Sequence, residues 1–366
     1  MDGAGKTEDL TIENEYPFSR STLMAGLRRY LAASTLRLGD IKPMTIPGVQ
    51  PVSSFGDAGT TLRALSVGVH IEGEDHTLPL LLKEPPVTAR GRVLNAVGQR
   101  EYGVYRRLAE HLPMLVPGFI AGDETEGWIV LEGLTGLRPP ESWTPDDYRE
   151  ATLNLAALHD RFQGASETLE TYAWLARPLT TDYAETVEAV KRAAELLLNE
   201  KPLPPFDEPQ YADMLHHLAA HIDEIVAPLR SETFTLIHGD YWPGNIACSI
   251  DGRQKVFDWQ LAAIGPAILD LVGFVQATLM NFTPSLSTQN IIALYRERHN
   301  ALMKPGWDDE HFALLWDHAL LWRFVVNWLG KLAMMPSENY ATISNSFRSL
   351  WIEPVLLAMQ RRIQAV

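Results

Sequence analysis

The chain is almost without cysteine. Cys248 is the single one in 366 residues, so no disulfide can form within it, which suits a reducing cytoplasm. Long apolar runs are missing as well. Nothing approaches the roughly 20 apolar residues that cross a bilayer. The most apolar stretch, Phe312 to Met335, is broken by Asp317, His318, Arg323, Asn327 and Lys331 and reads as a buried helix. Met1 to Leu10 is polar and acidic, with no apolar core of a secretory signal. Positive charge is scarce: 31 Lys and Arg face 46 Asp and Glu, for a formal net charge of −15. Such a surface repels nucleic-acid phosphates and anionic lipid, which sets both aside as partners. It suits solubility first and is compatible with a cationic small molecule. Internal repeats and low-complexity tracts are absent, and a monomer or a homodimer is expected.

What is present falls into two compositional halves. Residues 1–17 read as a flexible leader. Residues 18–133 are β-rich with few helices: Ser21 to Ala33 has helical spacing with Ser21 as its N-cap. From Ile41 to Leu82 the pattern is that of strands, with a turn at Glu72-Gly73-Glu74-Asp75 and a short apolar strand Leu78 to Leu82 stopped by Pro85-Pro86. Arg92 to Leu112 is amphipathic, and Phe119 to Ala121 and Trp128 to Leu131 are further strands. From residue 134 to 366 helical periodicity dominates. Thr144-Pro145-Asp146-Asp147 is a helix start, with a capping hydroxyl, a proline at the first position and acids facing the helix dipole. Further helices are expected over about 181–200, 208–229, 288–302, 310–334 and 340–364, interrupted by one β-like segment, Thr233 to Asp258. The order predicts an α+β fold of two lobes, a small β-rich N-lobe and a larger helical C-lobe.

The chemistry concentrates in Phe234-Thr235-Leu236-Ile237-His238-Gly239-Asp240-Tyr241-Trp242-Pro243-Gly244-Asn245-Ile246. An apolar run leads into a polar loop that sets a carboxylate and an amide five residues apart. Thirteen residues after Asn245, the apolar pair Val256-Phe257 ends in Asp258. Phosphoryl transfer needs one carboxylate to orient the attacking hydroxyl and accept its proton, and other oxygens to hold Mg²⁺ against nucleotide phosphates. Asp240 suits the first task. Asn245 and Asp258 suit the second, since Mg²⁺ favours carboxylate and carbonyl oxygens.

This segment resembles the catalytic loop of the aminoglycoside phosphotransferase and choline kinase family, distant relatives of protein kinases. Asp258-Trp259-Gln260, with Gly265-Pro266 and Asp270-Leu271 downstream, is similar to that family's metal-binding segment. The resemblance implies a protein-kinase-like fold and an ATP- and Mg²⁺-dependent phosphotransferase, with GTP as the other nucleotide. The acceptor would be a hydroxyl on a small molecule: an aminoglycoside or other antibiotic, an amino-alcohol or a sugar. It implies Asp240 as catalytic base, Asn245 and Asp258 as metal ligands, and His238 and Asp270 as supports of the loop. Lys83, at the end of the strand Leu78 to Leu82, resembles the phosphate-contacting lysine, and Glu101 on the next helix would pair with it. Gly56 and Gly59, in the turn Ser53 to Thr61, would cover the nucleotide, although Ala58 or Asp57 stands where such loops often carry serine. Glu132 and Leu134 would meet the adenine through main-chain groups. The alternative on the same fold is a non-catalytic nucleotide-binding scaffold. A protein kinase fits less well, because the loop reads His-Gly-Asp rather than His-Arg-Asp and Asp258-Trp259-Gln260 stands for Asp-Phe-Gly. His159 and the tryptophans Trp307, Trp316, Trp322, Trp328 and Trp351 read as core packing rather than as reactive groups or a cation cage.

Overall fold

A computed structural model of the chain describes residues 15–47, 60–85, 97–200, 203–303, 306–335 and 337–363. It divides into two units. One holds the chain up to Arg138 together with Ala247–Leu261, and the other holds Pro139–Ile246 with Ala262–Val366.

The first unit is built on a five-stranded antiparallel sheet. Its strands are β1 (Arg37–Pro43), β2 (Thr61–Ile71), β3 (Glu74–Glu84), β4 (Phe119–Gly122) and β5 (Ile129–Glu132), in the order β1-β2-β3-β5-β4. Strand β2 alternates, with Leu65, Val67 and Val69 buried, as one covered sheet face demands. That face packs on Leu23 and Leu27 of α1 (Arg20–Tyr30), with Leu80, Leu82 and Val130 completing the core. The N-cap of α1 is Ser19, whose hydroxyl accepts the N–H of Thr22, and not the expected Ser21. Both serines precede an apolar period, and the winner is the one three residues before an unpaired helix N–H. Strand β3 is longer than the apolar stretch Leu78 to Leu82. Its exposed start, Glu74 to Thr77, pairs with β2 through main-chain bonds that need no apolar side chain. The strand ends at Glu84, one residue before Pro85.

The tail of the expected leader is not loose. Tyr16 and Phe18 are buried in this core and stack 5.3 Å apart. The expected helix from Arg92 is seen as α2 (Val97–Gly103), which continues as a wider turn over Val104–Leu108. The remaining strands β6 (Leu137–Arg138), β8 (Ile246–Ser249) and β9 (Gln254–Val256) make a small three-stranded sheet.

The second unit is helical. It contains α3 (Pro145–Phe162), α4 (Tyr183–Glu195), α5 (Pro209–Ala220), α6 (Ile222–Arg230), α7 (Ile268–Asn281), α8 (Thr288–Leu302), α9 (Asp309–Arg323), α10 (Ser337–Phe347) and α11 (Glu353–Arg362). Thr144 and Asp147 cap α3 reciprocally around Pro145, as the sequence predicts. A two-stranded ladder of β7 (Phe234–Ile237) and β10 (Ala263–Pro266) lies in this unit, so the β-like segment reaches beyond Asp258. The apolar stretch Phe312 to Met335 forms α9, a wide turn over Phe324–Trp328 and the short helix Leu329–Met334, with Leu315, Leu320, Phe324 and Leu329 buried. Among the described residues no helix is long and apolar enough to cross a membrane.

Candidate active site

In the helical unit the site starts from β7. Leu236 and Ile237 are buried against β10, and this anchored strand delivers His238 into the loop. Gly239 has φ +83°, a left-handed backbone that glycine adopts without a Cβ clash. The turn aims two successive main-chain N–H groups at one carboxylate. Asp270, in the first turn of α7, accepts from His238 N–H at 2.6 Å and from Gly239 N–H at 2.9 Å. Asp270 is fully buried. Burial raises its pKa, but His159, His238 and Arg323 outweigh that and hold it below the usual carboxylate range. His238 Nδ1 accepts the N–H of Asp240 at 3.2 Å, which assigns the ring proton to Nε2. His238 and Asp270 therefore shape the loop from within it.

A short turn over Pro243–Asn245 brings the chain back over the aspartate. Asn245 Nδ2 donates to a carboxylate oxygen of Asp240 at 2.9 Å and to its main-chain oxygen at 2.8 Å. With the amide nitrogen engaged, Oδ1 is the atom of Asn245 suited to a metal. His159 is a core group, as expected: its Nδ1 lies 2.5 Å from the Tyr295 hydroxyl and its Nε2 3.4 Å from Asp270.

In the β-rich unit, Lys83 sits in β3 between Leu62 of β2 and Ile129 of β5. Its side chain is buried. Nζ lies 2.6 Å from Glu101 Oε2, on α2, and 2.5 Å from Asp258 Oδ1. The family resemblance pointed to Glu101 as the partner, and the structure adds Asp258. Burial opposes the lysine charge, but Asp258 and then Glu101 outweigh it and push the Lys83 pKa above its ordinary value. Burial lifts Glu101 to about 7 against the pull of Lys83. Asp258 has φ +63°, a conformation that costs a non-glycine residue about 1–3 kcal/mol. It is held there by Lys83 and by Gln260 Nε2 at 3.4 Å, while the Gln260 carbonyl accepts from Arg100 at 3.2 Å.

The two residues expected at the adenine, Glu132 and Leu134, are placed differently. Glu132 ends β5, its N–H bonded to Gly118 O at 2.8 Å and its carboxylate gripped by Lys255 at 2.6 and 2.7 Å. Its side chain is thus committed within the unit, which leaves the main chain for any contact. Leu134 is half-buried just beyond. Gly133 between them donates to Pro79 O at 2.9 Å, and a Cβ there would meet the Pro79 and Leu80 backbone at 2.7–2.9 Å. Gly56 and Gly59 lie outside the described residues.

Asn245 Oδ1 in the helical unit and the Asp258 carboxylate in the β-rich unit are each hard oxygen donors, of the kind Mg²⁺ prefers. Among the described residues no group of three or more His, Cys, Asp or Glu side chains could hold a metal ion. Trp307, Trp322 and Trp351 are buried as expected, whereas Trp316 and Trp328 are half-buried; Trp322 stacks on Tyr183, and Trp328 lies 4.7 Å from Phe347 and 5.7 Å from Trp351, with Lys331 Nζ 5.4 Å from its ring centroid. One residue escaped the sequence reading. Arg323, at the end of α9, is buried and donates to Gly239 O at 3.1 Å and to Leu269 O at 3.2 Å. Its one signal in the sequence was a charge inside an apolar run.

Residues 69–311, about two-thirds of the chain, match the phosphotransferase enzyme family. The chain belongs to the phosphotransferase enzyme family. LicA, a choline kinase of Streptococcus pneumoniae, superposes in its complex with AMP at a TM-score of 0.51 and 12% identity, over 93% of this chain and 100% of that one. An ethanolamine kinase of Plasmodium vivax superposes at 0.53 and 12% identity, over 86% and 83%. These likenesses show the protein-kinase-like α+β fold that the sequence predicts. None of the curated proteins matches the sequence. Family and fold make the chain an enzyme of the small-molecule kinase class.

Proposed function

We propose that the enzyme transfers the γ-phosphoryl group of ATP, or of GTP, to a hydroxyl of a small molecule. The observation that carries this is the buried contact of Lys83 with both Glu101 and Asp258. A lysine held between two carboxylates is pre-set for polyphosphate: as phosphate oxygens approach, they replace carboxylate oxygens at Nζ, and Glu101 keeps the side chain extended. Asp240 is the catalytic base. Asn245 fixes one of its oxygens, which leaves the other to align the acceptor hydroxyl and take its proton. Asn245 and Asp258 would hold Mg²⁺, whose role when bound is to neutralise phosphate charge. The nucleotide's adenine would be met by main-chain groups near Glu132 and Leu134, and Gly56 and Gly59 would cover its phosphates.

The acceptor is a hydroxylated small molecule. The net charge of −15 favours a cationic one, and the fold is shared with an ethanolamine kinase, so amino-alcohols and aminoglycosides come before neutral sugars. The acidic surface and the single cysteine accord with a cytoplasmic enzyme acting on a diffusible substrate. The test is nucleotide consumption over a panel of amino-alcohols, aminoglycosides, macrolides and sugars, with and without Mg²⁺, followed by mapping of the phosphorylated oxygen. Mg²⁺-dependent turnover that Asp240→Ala abolishes supports the reading. Full turnover by Asp240→Ala overturns it.

A further inference from the structure

Arg323 is a costly residue to place where it is. A guanidinium stays charged in proteins, and burying one is unfavourable unless its donors are matched. Only 7% of Arg323 is exposed. Its two terminal nitrogens go to main-chain carbonyls, Gly239 in the catalytic loop and Leu269 in the first turn of α7, while its Nε has no hydrogen-bond partner among the described residues. A side chain kept for bulk alone would be better served by an apolar one of similar volume.

The Gly239 carbonyl belongs to the same peptide unit as the Asp240 N–H. That unit is held at both ends, its oxygen by Arg323 at 3.1 Å and its N–H by His238 Nδ1 at 3.2 Å. A peptide is planar, so two fixed ends fix the plane from which the Asp240 side chain departs. The preceding peptide is held by its own N–H, which Gly239 donates to Asp270. The helix α7 also makes room for the arginine. A Cβ on Gly273 would lie 2.5 Å from Arg323 Cζ and 2.6 Å from Nη2. Glycine is unfavourable inside a helix, and here the guanidinium occupies the space it leaves.

We propose that Arg323 is a positioning residue for phosphoryl transfer, pinning the Gly239–Asp240 peptide so that the Asp240 carboxylate faces the acceptor hydroxyl. The proposal rests on the phosphotransferase reading for its consequence, though not for its geometry. The charges of Asp270 and Asp240 both act on Arg323, which places its charge within reach of the base as well as of the loop support.

The experiment compares the full-length enzyme with Arg323→Met, Arg323→Lys, Gly273→Ala and the Arg323→Met/Gly273→Ala pair. Steady-state kinetics use the acceptor found by the panel, and hydrogen exchange is followed at residues 238–241. Arg323→Met should lower kcat about tenfold or more, with both KM values within about twofold. Arg323→Lys should recover part of the loss, because one donor still reaches a carbonyl. Gly273→Ala should fall in the same direction by displacing the guanidinium, and should add nothing once Arg323 is gone. Exchange over 238–241 should rise in Arg323→Met and in Gly273→Ala while the rest of α9 keeps its protection. An unchanged kcat in Arg323→Met, additive losses in the pair, or unchanged exchange would each overturn the proposal. Exchange needs no turnover, so an enzyme that phosphorylates nothing would sink the functional reading while still deciding the role of Arg323. If Arg323→Met does not fold, Gly273→Ala decides alone.

Discussion

The side-chain amide of Asn245 lies 2.9 Å from Asp240 Oδ2 and 2.8 Å from the main-chain oxygen of the same residue. It thereby ties the proposed base to the proposed metal ligand through a single donor. Two consequences can be measured. Asp240→Ala should cut turnover about 10²–10⁴-fold, the usual share of a positioned acid or base. Asn245→Ala removes the donor and frees the Asp240 carboxylate from the loop, so kcat should fall about tenfold or more. A kcat equal to the parent's would show that the contact does not govern the base.

Lys83 leads to the second prediction. Removing it, as Lys83→Met, leaves Glu101 and Asp258 side by side without their cation, and breaking such a buried pair costs about 3–5 kcal/mol. Phosphoryl transfer should fall with it, chiefly through nucleotide affinity. The pH dependence belongs to Glu101. Its folded pKa is about 7, above the ordinary value of 4.5, so between those limits the folded state holds more protons than the unfolded one. Its contribution to stability is therefore complete below pH about 4.5 and is lost as pH rises through about 7. Glu101→Gln should flatten that slope in thermal unfolding followed from pH 5 to 8. A slope equal to the parent's would assign it to other groups.

How much of this was legible in the sequence depended on distance along the chain. Asp240 and Asn245 lie on one loop, and Lys83 and Glu101 on adjacent elements, so a motif and the resemblance it carried sufficed to pair them. Asp258 was recognisable as a candidate ligand, but not its contact with Lys83 across 175 positions nor its left-handed backbone, which are tertiary facts. Arg323 stands 84 positions from Gly239. Nothing local separates it from an arginine snorkelling out of a helix. The fold class was readable from the change of periodicity near residue 134. The start of β3 and the strand β10 were not, because main-chain pairing carries them with little side-chain pattern.

Asp270 gathers the loop's amides, so its loss should be felt in both stability and rate. Asp270→Asn keeps the size but replaces a charge-assisted acceptor of two N–H groups with a neutral amide. A loss of about 2–4 kcal/mol in unfolding free energy is expected, the scale of a buried hydrogen-bonded charge that loses its match. The folded pKa of Asp270 is depressed, so its stabilisation is present above the unfolded value of about 3.9 and disappears as pH falls below it. Parent and variant should converge in stability in strong acid. A constant difference down to pH 2 would mean that the carboxylate charge is not what holds the loop.

Gly133 tests the nucleotide end. It sits between Glu132 and Leu134, and its N–H is bonded to Pro79 O at 2.9 Å. A Cβ at this position would meet Pro79 C at 2.7 Å, Pro79 O at 2.8 Å and Leu80 N at 2.9 Å, all of them backbone atoms that cannot turn aside. Gly133→Ala must therefore push the segment away from β3. Stability should fall by about 1–3 kcal/mol, as for other overpacked sites. If main-chain groups of Glu132 and Leu134 receive the adenine, the KM for nucleotide should rise well beyond what the acceptor KM does, since the displaced segment carries those groups and Asp240 lies elsewhere in the chain. The measurement is a kcat and KM comparison for both substrates at a temperature where the variant is fully folded. A variant with an unchanged nucleotide KM would move the adenine contact away from residues 132–134 and leave Gly133 as a packing glycine.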